Sequence, residues 1–187
     1  MRVRVPSEPL FICKTDKMKT IVITESQYNG LLKEDEVDGR LVVYMMCGIP
    51  GSGKSTWCGQ NHPDLPVVSR DIIRAEMGFT KSADEKAVLT REQEQAVTEE
   101  EYKKMEKLIA KGQSFIIDDT NSNPRFRKEM IDFLKSHDVK IVGVNVNTDL
   151  DLCIQRRAGQ IPPEAIMRMH GNRVPLTKDD VDDIIDV

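Results

Sequence analysis

Apolar residues fall into short, largely non-alternating runs at positions 41–47, 65–68, 115–117 and 141–146. Runs of this length without alternation belong to strands covered on both faces, which predicts an α/β fold with a mostly parallel sheet between two helical layers. The polar stretches between them carry the helices. A short one is expected near 72–77, and a long, highly charged one over 89–111, with Val97, Met105, Leu108 and Ile109 as a thin apolar stripe and its charges as a solvated face. Asn123 and Pro124 have N-cap and N1 character for a helix reaching about Ser136, with Phe126, Met130, Ile131, Phe133 and Leu134 on its buried side. Further helices are expected over 149–157 and 164–170. Before the first core strand, 20–23 suits a short strand followed by a helix through about Leu32 and a turn over 33–40. The acids after Thr177 suggest a short terminal helix or a frayed tail.

The 187 residues suffice for one buried core, and 39% hydrophobic with 31% charged residues excludes wholesale disorder. Residues 1–18 show no clean period and are expected to form a poorly structured extension, followed by a single domain over 19–187 with a lid near 156–163. No apolar run approaches the roughly 18 residues of a membrane span. Pro6, Glu8, Pro9 and Asp16 break up any secretory core, and Cys13, Cys47, Cys58 and Cys153 lack metal-ligand spacing. A cytoplasmic setting with reduced thiols is expected. A net charge of −4 gives no chain-wide field for gripping nucleic acid, but residues 122–173 hold nine Lys or Arg against six Asp or Glu. A phosphorylated partner would be met there.

Gly48-Ile49-Pro50-Gly51-Ser52-Gly53-Lys54-Ser55 fits the GxxxxGK[ST] pattern directly between a strand and a helix start. Glycines 48, 51 and 53 let backbone amides turn toward phosphate oxygens, the loop running through Ser52 and into Thr56. Lys54 is expected to reach the β and γ phosphates of ATP, and the Ser55 hydroxyl to ligate Mg²⁺. Trp57 reads as a packing residue. No guanine-reading NKxD segment follows, which favours a small P-loop kinase over a GTP switch.

Asp71, in Ser69-Arg70-Asp71-Ile72-Ile73-Arg74, falls at the carboxyl end of the second core strand, where α/β sheets open their ligand crevice. There it is placed to orient a hydroxyl acceptor and take its proton, with Arg74 one helical turn on to grip an acceptor phosphate. Asp71 as a helix cap and Arg74 as a surface ion-pair partner is the structural alternative. Asp118 and Asp119 end the next strand and point to opposite sides, so only one can face the metal or acceptor; Asp119 is favoured, Asp118 second. Thr120 and Asn121 are candidates for acceptor hydrogen bonds, while Arg125 and Arg127 read as surface or phosphate-rim residues. Arg156 is the preferred lid residue for the transferring phosphoryl group, with Arg157 beside it. His62, His137 and His170 are scattered, and no zinc site is expected.

The blocks GIPGSGKSTW at 48–57, SRDIIR at 69–74 and IIDDTNSNP at 116–124, in this order and spacing, resemble the kinase domain of phage-type polynucleotide 5′-kinases, AAA-like ATP-binding enzymes of nucleic-acid repair. The resemblance covers about residues 41–172. It implies a three-layer P-loop NTPase fold, ATP and Mg²⁺ as cofactors, and a 5′-hydroxyl DNA or RNA end, or a 3′-phosphorylated nucleotide, as acceptor. It further implies Lys54 and Ser55 at the ATP phosphates and Mg²⁺, Asp71 as general base, Arg74 on the acceptor's 3′ phosphate, Asp119 in acceptor support and Arg156 in the lid. The lid looks shorter and less basic than is usual in that family, and no DxDxT phosphatase motif follows. The alternative is a small-molecule or nucleotide kinase on the same scaffold, and after it a nonenzymatic nucleotide-binding module.

Overall fold

In the run Val42–Cys47 every residue is buried, because the strand it forms lies in the middle of a sheet with side chains packed on both faces. The computed structural model describes residues 10–14, 20–24, 39–82 and 88–187. The chain divides into two compact units, Met1–Arg40 and Leu41–Val187.

In the first unit, β1 (Leu10–Lys14) pairs antiparallel with β2 (Thr20–Thr24), from Leu10 opposite Thr24 to Lys14 opposite Thr20. The expectation of a poorly structured extension over 1–18 is therefore corrected at 10–14, which is strand. The helix expected through Leu32 lies outside the described residues.

The second unit runs β3 (Val42–Cys47), α1 (Lys54–Asn61), β4 (Val67–Val68), α2 (Arg70–Glu76), α3 (Arg91–Ala110), β5 (Phe115–Ile117), α4 (Pro124–Ser136), β6 (Lys140–Asn145), α5 (Leu150–Arg156), α6 (Pro163–Gly171) and β7 (Asp183–Asp186). The five strands form one parallel sheet in the order β4-β5-β3-β6-β7. After β3 the chain moves to the β4 and β5 side, then crosses to β6 and β7. The carboxyl end of β3 is thus where connections leave in opposite directions, and such a switch point opens a crevice. The expected three-layer α/β architecture is the observed one.

Strand alternation divides the core. Val43, Met45 and Cys47 pack with Phe115 and Ile117 against Ile73 of α2, Val97 and Met105 of α3, and Met130, Ile131 and Leu134 of α4. Val42, Tyr44 and Met46 face the other way, with Ile116, Val142 and Val144, toward Cys58 and Trp57 of α1. A smaller cluster of Ile49, Cys153 and Ile166 sits beneath the loop after β3. Cys47, Cys58 and Cys153 are buried free thiols. No helix among the described residues is long and apolar enough to cross a membrane.

Three expectations are corrected. The acidic tail is neither helix nor fray: residues 183–186 add β7 to the sheet edge, parallel to β6. Gly143 in β6 permits it, since a Cβ there would come within 2.9 Å of Ile184 Cδ1 and 3.1 Å of Leu176 Cδ1 and Val181 Cγ2. On α4, Phe126 is 75% exposed while Arg127 is only 3% exposed. Arg127 fills the first position of the buried stripe and donates to the carbonyls of Asn121, Val174 and Pro175 and to Asp180. On α3 the charges are not all solvated, because Glu101 is 1% exposed, four residues from both Val97 and Met105.

Candidate active site

Between β3 and α1 the chain turns with Gly51 at φ +85° and Gly53 at φ +100°, a left-handed backbone that side chains resist. Gly51 has a second reason to be glycine: a Cβ there would meet the Cys153 carbonyl at 2.6 Å. The loop is further fixed by Gly48 N–H donating to Thr120 O, by Ser52 N–H donating to Ile49 O, and by the Thr148 hydroxyl donating to Ser52 O. Gly53 occupies the N-cap of α1, so the helix's free N–H groups open into the loop. Lys54 Nζ folds back on Gly48 O at 3.1 Å. Burial lowers the Lys54 pKa, while the carboxylates of Asp118, Asp119 and Asp71 work in the opposite direction.

A cavity of about 460 Å³ lies against this loop, walled by Gly51–Trp57 on one side and Val146–Thr148, Arg156, Arg157 and Val187 on the other. That volume falls within the usual range for small-molecule sites. Arg156 Nη1 donates to Gly51 O at 3.0 Å, putting its guanidinium on the loop itself, whereas Arg157 donates to Gln160. Thr56 lines the same cavity.

At the mouth of the loop the Ser55 hydroxyl donates to Asp118 Oδ2 at 2.6 Å. Asp118 Oδ1 is buried and has no hydrogen-bond partner among the described residues. A hydroxyl and a carboxylate with an unused buried oxygen are hard oxygen donors of the kind Mg²⁺ takes, so the residues fit that ion. Among the described residues no group of three or more His, Cys, Asp or Glu could hold a metal by itself, as suits a cation shared with substrate phosphates.

Asp119 is expected ahead of Asp118 to face the metal or acceptor, but Asp118 is the one bonded to Ser55. Asp118 N–H still bonds to Val68 O, so strand pairing continues past Ile117 and the side chains keep alternating. Ile116 and Asp118 take the α1 face, and Ile117 and Asp119 take the α2–α4 face. Asp119 Oδ1 accepts from Arg70 N–H at 3.1 Å, and its Oδ2 is buried. Burial, and then the neighbouring Glu101 carboxylate, raise the Asp119 pKa well above the usual carboxylate range.

Asp71 lies in the first turn of α2, with Ser69 at the N-cap. Its carboxylate accepts from Arg74 Nη1 at 2.8 Å, and Arg74 Nη2 also donates to both oxygens of Glu94. Arg70, which the sequence did not single out, ties the group to α3 through Thr98, Glu94 and Glu101. Burial works against the Glu94 charge, but hydrogen bonds from Arg74 and Arg70 outweigh it and its pKa is lowered. Glu101 was detectable in sequence as an acid at stripe spacing; Arg70 carried no signal beyond its place beside Asp71.

Thr120 is exposed, and its carbonyl holds the start of the phosphate loop. Asn121 is turned inward instead of toward an acceptor: at φ 44° its amide donates to Met46 O at 2.9 Å. The structure thus gathers Lys54, Ser55, Asp118 and Arg156 at the loop, turns the Asn121 amide inward to Met46 O, ties Asp119 to the Arg70 backbone and pairs Asp71 with Arg74, so that Asp71 acts on Lys54 less than either Asp118 or Asp119 does.

Several solved structures share this fold. A chain in the Pnkp1/Rnl/Hen1 RNA repair complex superposes with a TM-score of 0.63 at 22% identity, covering 74% of this chain and 46% of that one. This chain thus spans about half the length of that relative. An unliganded sugar kinase from Janibacter sp. HTCC2649 gives a TM-score of 0.55 at 17% identity over 79% of this chain and 84% of that one. The Mycobacterium tuberculosis APS kinase CysC, in complex with AMPPNP and APS, gives 0.53 at 16% over 79% and 88%. These likenesses show the fold, a three-layer α/β architecture of the P-loop NTPase type. The AAA domain family matches residues 43–176, most of the chain and every residue of the crevice named above except Val187, and the chain belongs to that family.

Proposed function

We propose that this protein is an ATP-dependent phosphotransferase that moves the γ-phosphoryl group to a hydroxyl acceptor. What carries the reading is the loop's own geometry: Gly53 at the N-cap of α1 with Lys54 behind it, the Ser55 hydroxyl bonded to the strand-end carboxylate Asp118, and Arg156 bonded to Gly51 O. Lys54, the loop amides and the α1 N-terminus bind the donor phosphates. Asp71 orients the acceptor hydroxyl and takes its proton as the bond to phosphorus forms. Arg156, resting on the loop, is placed to meet charge on the transferring group. Ser55 and Asp118 would hold Mg²⁺, which supplies charge neutralisation at the phosphates when bound. Asp119 acts at one remove, by fixing the Arg70 backbone beside Asp71.

For the acceptor, a small metabolite or nucleotide is favoured. The Arg74 fork that would grip a polynucleotide's 3′ phosphate is shared between Asp71 and Glu94, and the net charge of −4 offers no extended track. The sugar kinase and APS kinase likenesses, which run over most of both chains, support the same choice. A 5′-hydroxyl DNA or RNA end is the second reading, supported by the order of the three sequence blocks and by the RNA repair likeness. The test is transfer of label from γ-labelled ATP in Mg²⁺ to 5′-hydroxyl DNA and RNA, 3′-mononucleotides, sugars and other small alcohols. Label on small acceptors well above label on oligonucleotides is expected, and the reverse order selects the second reading. No transfer to any member of the panel defeats the phosphotransferase assignment and leaves a nucleotide-binding module.

A further inference from the structure

Arg173 lies two residues past the end of α6, where the backbone runs beside the carboxyl ends of β3 and β5. Its N–H bonds to His170 O, and the following N–H, of Val174, bonds to Ser122 O at 3.0 Å. Val174 O accepts from Cys47 Sγ at the end of β3 and from Arg127. The backbone at 173–174 is thereby pinned between the strand end that precedes Gly48 and the loop that follows Asp119. Burial raises the Cys153 pKa, and the charges acting on that thiol beside it are Arg156, Asp149, Lys54 and Arg173. The Cys153 carbonyl in turn lies against Gly51.

Two nitrogens of the guanidinium at this place are left over. Nε and Nη2 are both buried, and neither has a hydrogen-bond partner among the described residues. The neighbouring cations are all engaged: Lys54 with Gly48 O, Arg156 with Gly51 O, Arg74 with Asp71 and Glu94, and Arg70 with Glu94 and Glu101. Leaving charged donors buried and unsatisfied is costly, so a fold that retains them lacks the acceptor they are meant for. The Nε and Nη2 hydrogens form one edge of the guanidinium, and that edge presents two parallel donors spaced for two oxygens of one phosphate.

We propose that Arg173 is a phosphate-binding residue whose Nε/Nη2 edge takes two oxygens of the nucleotide's γ-phosphoryl group, from the side facing Ser122. The proposal rests on the phosphotransferase reading above and deepens it. Lys54 holds the group from the donor side and Arg173 from the acceptor side, so the phosphoryl group is gripped along the line between ATP and the hydroxyl that Asp71 orients. An anionic group on the acceptor offers the same oxygens, and the experiment separates the two sources.

Wild type, Arg173→Met and Arg173→Lys are titrated calorimetrically with a nonhydrolysable ATP analogue and with ADP, each with Mg²⁺, and the melting temperature of each free protein is measured. Arg173→Met is expected to weaken the analogue roughly 10- to 100-fold, the scale of a bidentate charged contact, while ADP stays within about twofold. Arg173→Lys, which keeps the charge without the fork, is expected to fall between. The free Arg173→Met protein is expected to melt no lower than wild type, since an unpaired buried cation has been replaced by an apolar chain of similar length. A lower melting temperature, or equal loss for analogue and ADP, assigns Arg173 to the framework and overturns the proposal. An unchanged analogue affinity overturns it too, including the case where only the KM of an anionic acceptor rises. Failure of the wild type to bind the analogue overturns both this proposal and the reading beneath it; transfer by wild type with unaltered binding by Arg173→Met overturns this one alone.

Discussion

The two halves of the crevice are built in different ways. The donor half is contiguous: eight residues from Gly48 to Ser55 supply the turn, the amides, the lysine and the hydroxyl, and backbone geometry does most of the positioning. The acceptor half is assembled from β4, α2, α3 and β5, held by a chain of ion pairs from Asp71 through Arg74, Glu94 and Arg70 to Glu101. Local backbone conformation tolerates changes elsewhere in the molecule, whereas a network with one almost fully buried member answers to the loss of any part. The halves therefore differ in how they fail.

Lys54→Ala strikes the donor half alone. Loss of transfer by roughly 10³, together with loss of ATP-analogue affinity in calorimetry, is expected for a donor aimed at the transferring phosphates. Asp71→Asn is the converse, and transfer in single-turnover assays is expected to drop by roughly 10² with analogue affinity retained. An equal loss of affinity in Asp71→Asn would merge the two halves and break the comparison.

Arg70→Met tests the network without touching reacting groups. It leaves Glu101 buried without its cation, and a loss of about 3 kcal/mol in urea unfolding is expected, the lower end for breaking a buried ion pair. Stability within experimental error of wild type would show that the ion pairs do not hold the acceptor half.

The adjacent carboxylates sharpen the contrast further. Asp118→Asn is expected to raise the Mg²⁺ concentration needed for half-maximal transfer by about tenfold, as loss of one charged oxygen donor would. Asp119→Asn is expected to leave that requirement unchanged and to alter stability instead. Because the folded-state pKa of Asp119 is raised, its contribution to stability is full below the ordinary carboxylate value and is lost as pH rises through the folded value. The asparagine lacks that ionisation and brings an N–H₂ next to Glu101, so its melting temperature should gain on wild type as pH rises above the ordinary carboxylate range. A gap that stays constant or closes with rising pH would remove the assignment of Asp119 to the buried network.

The same division governs what the sequence discloses. The phosphate loop is legible because its chemistry and its local geometry occupy one stretch of chain. For the two carboxylates, alternation tells that only one can face the metal, but choosing between them requires knowing which sheet face carries α1, and that is settled by strand order across the whole sheet. Phe126 and Arg127 invert what residue type alone suggests: positions 127, 130, 131 and 134 form the buried stripe although its first member is charged. The C-terminal strand was hidden by its acids, whereas only Ile184 and its fit over Gly143 decide the outcome. Nothing in the sequence sets Arg173 apart from the other basic residues of its region, since its distinction is two buried nitrogens without an acceptor among the described residues.

The vacancy left by the absent side chain at Gly143 reaches further than the sheet edge it accommodates. Ile184 seats β7 over that glycine, and β7 carries the chain on to Val187, whose carbonyl accepts from Asn147 N–H at 2.7 Å and which forms part of the wall of the cavity beside the Gly48–Ser55 loop. A single methyl group introduced at position 143 would be transmitted along three residues of strand to the rim of the donor pocket, so the tightness of that pocket is set partly by an atom the protein does without.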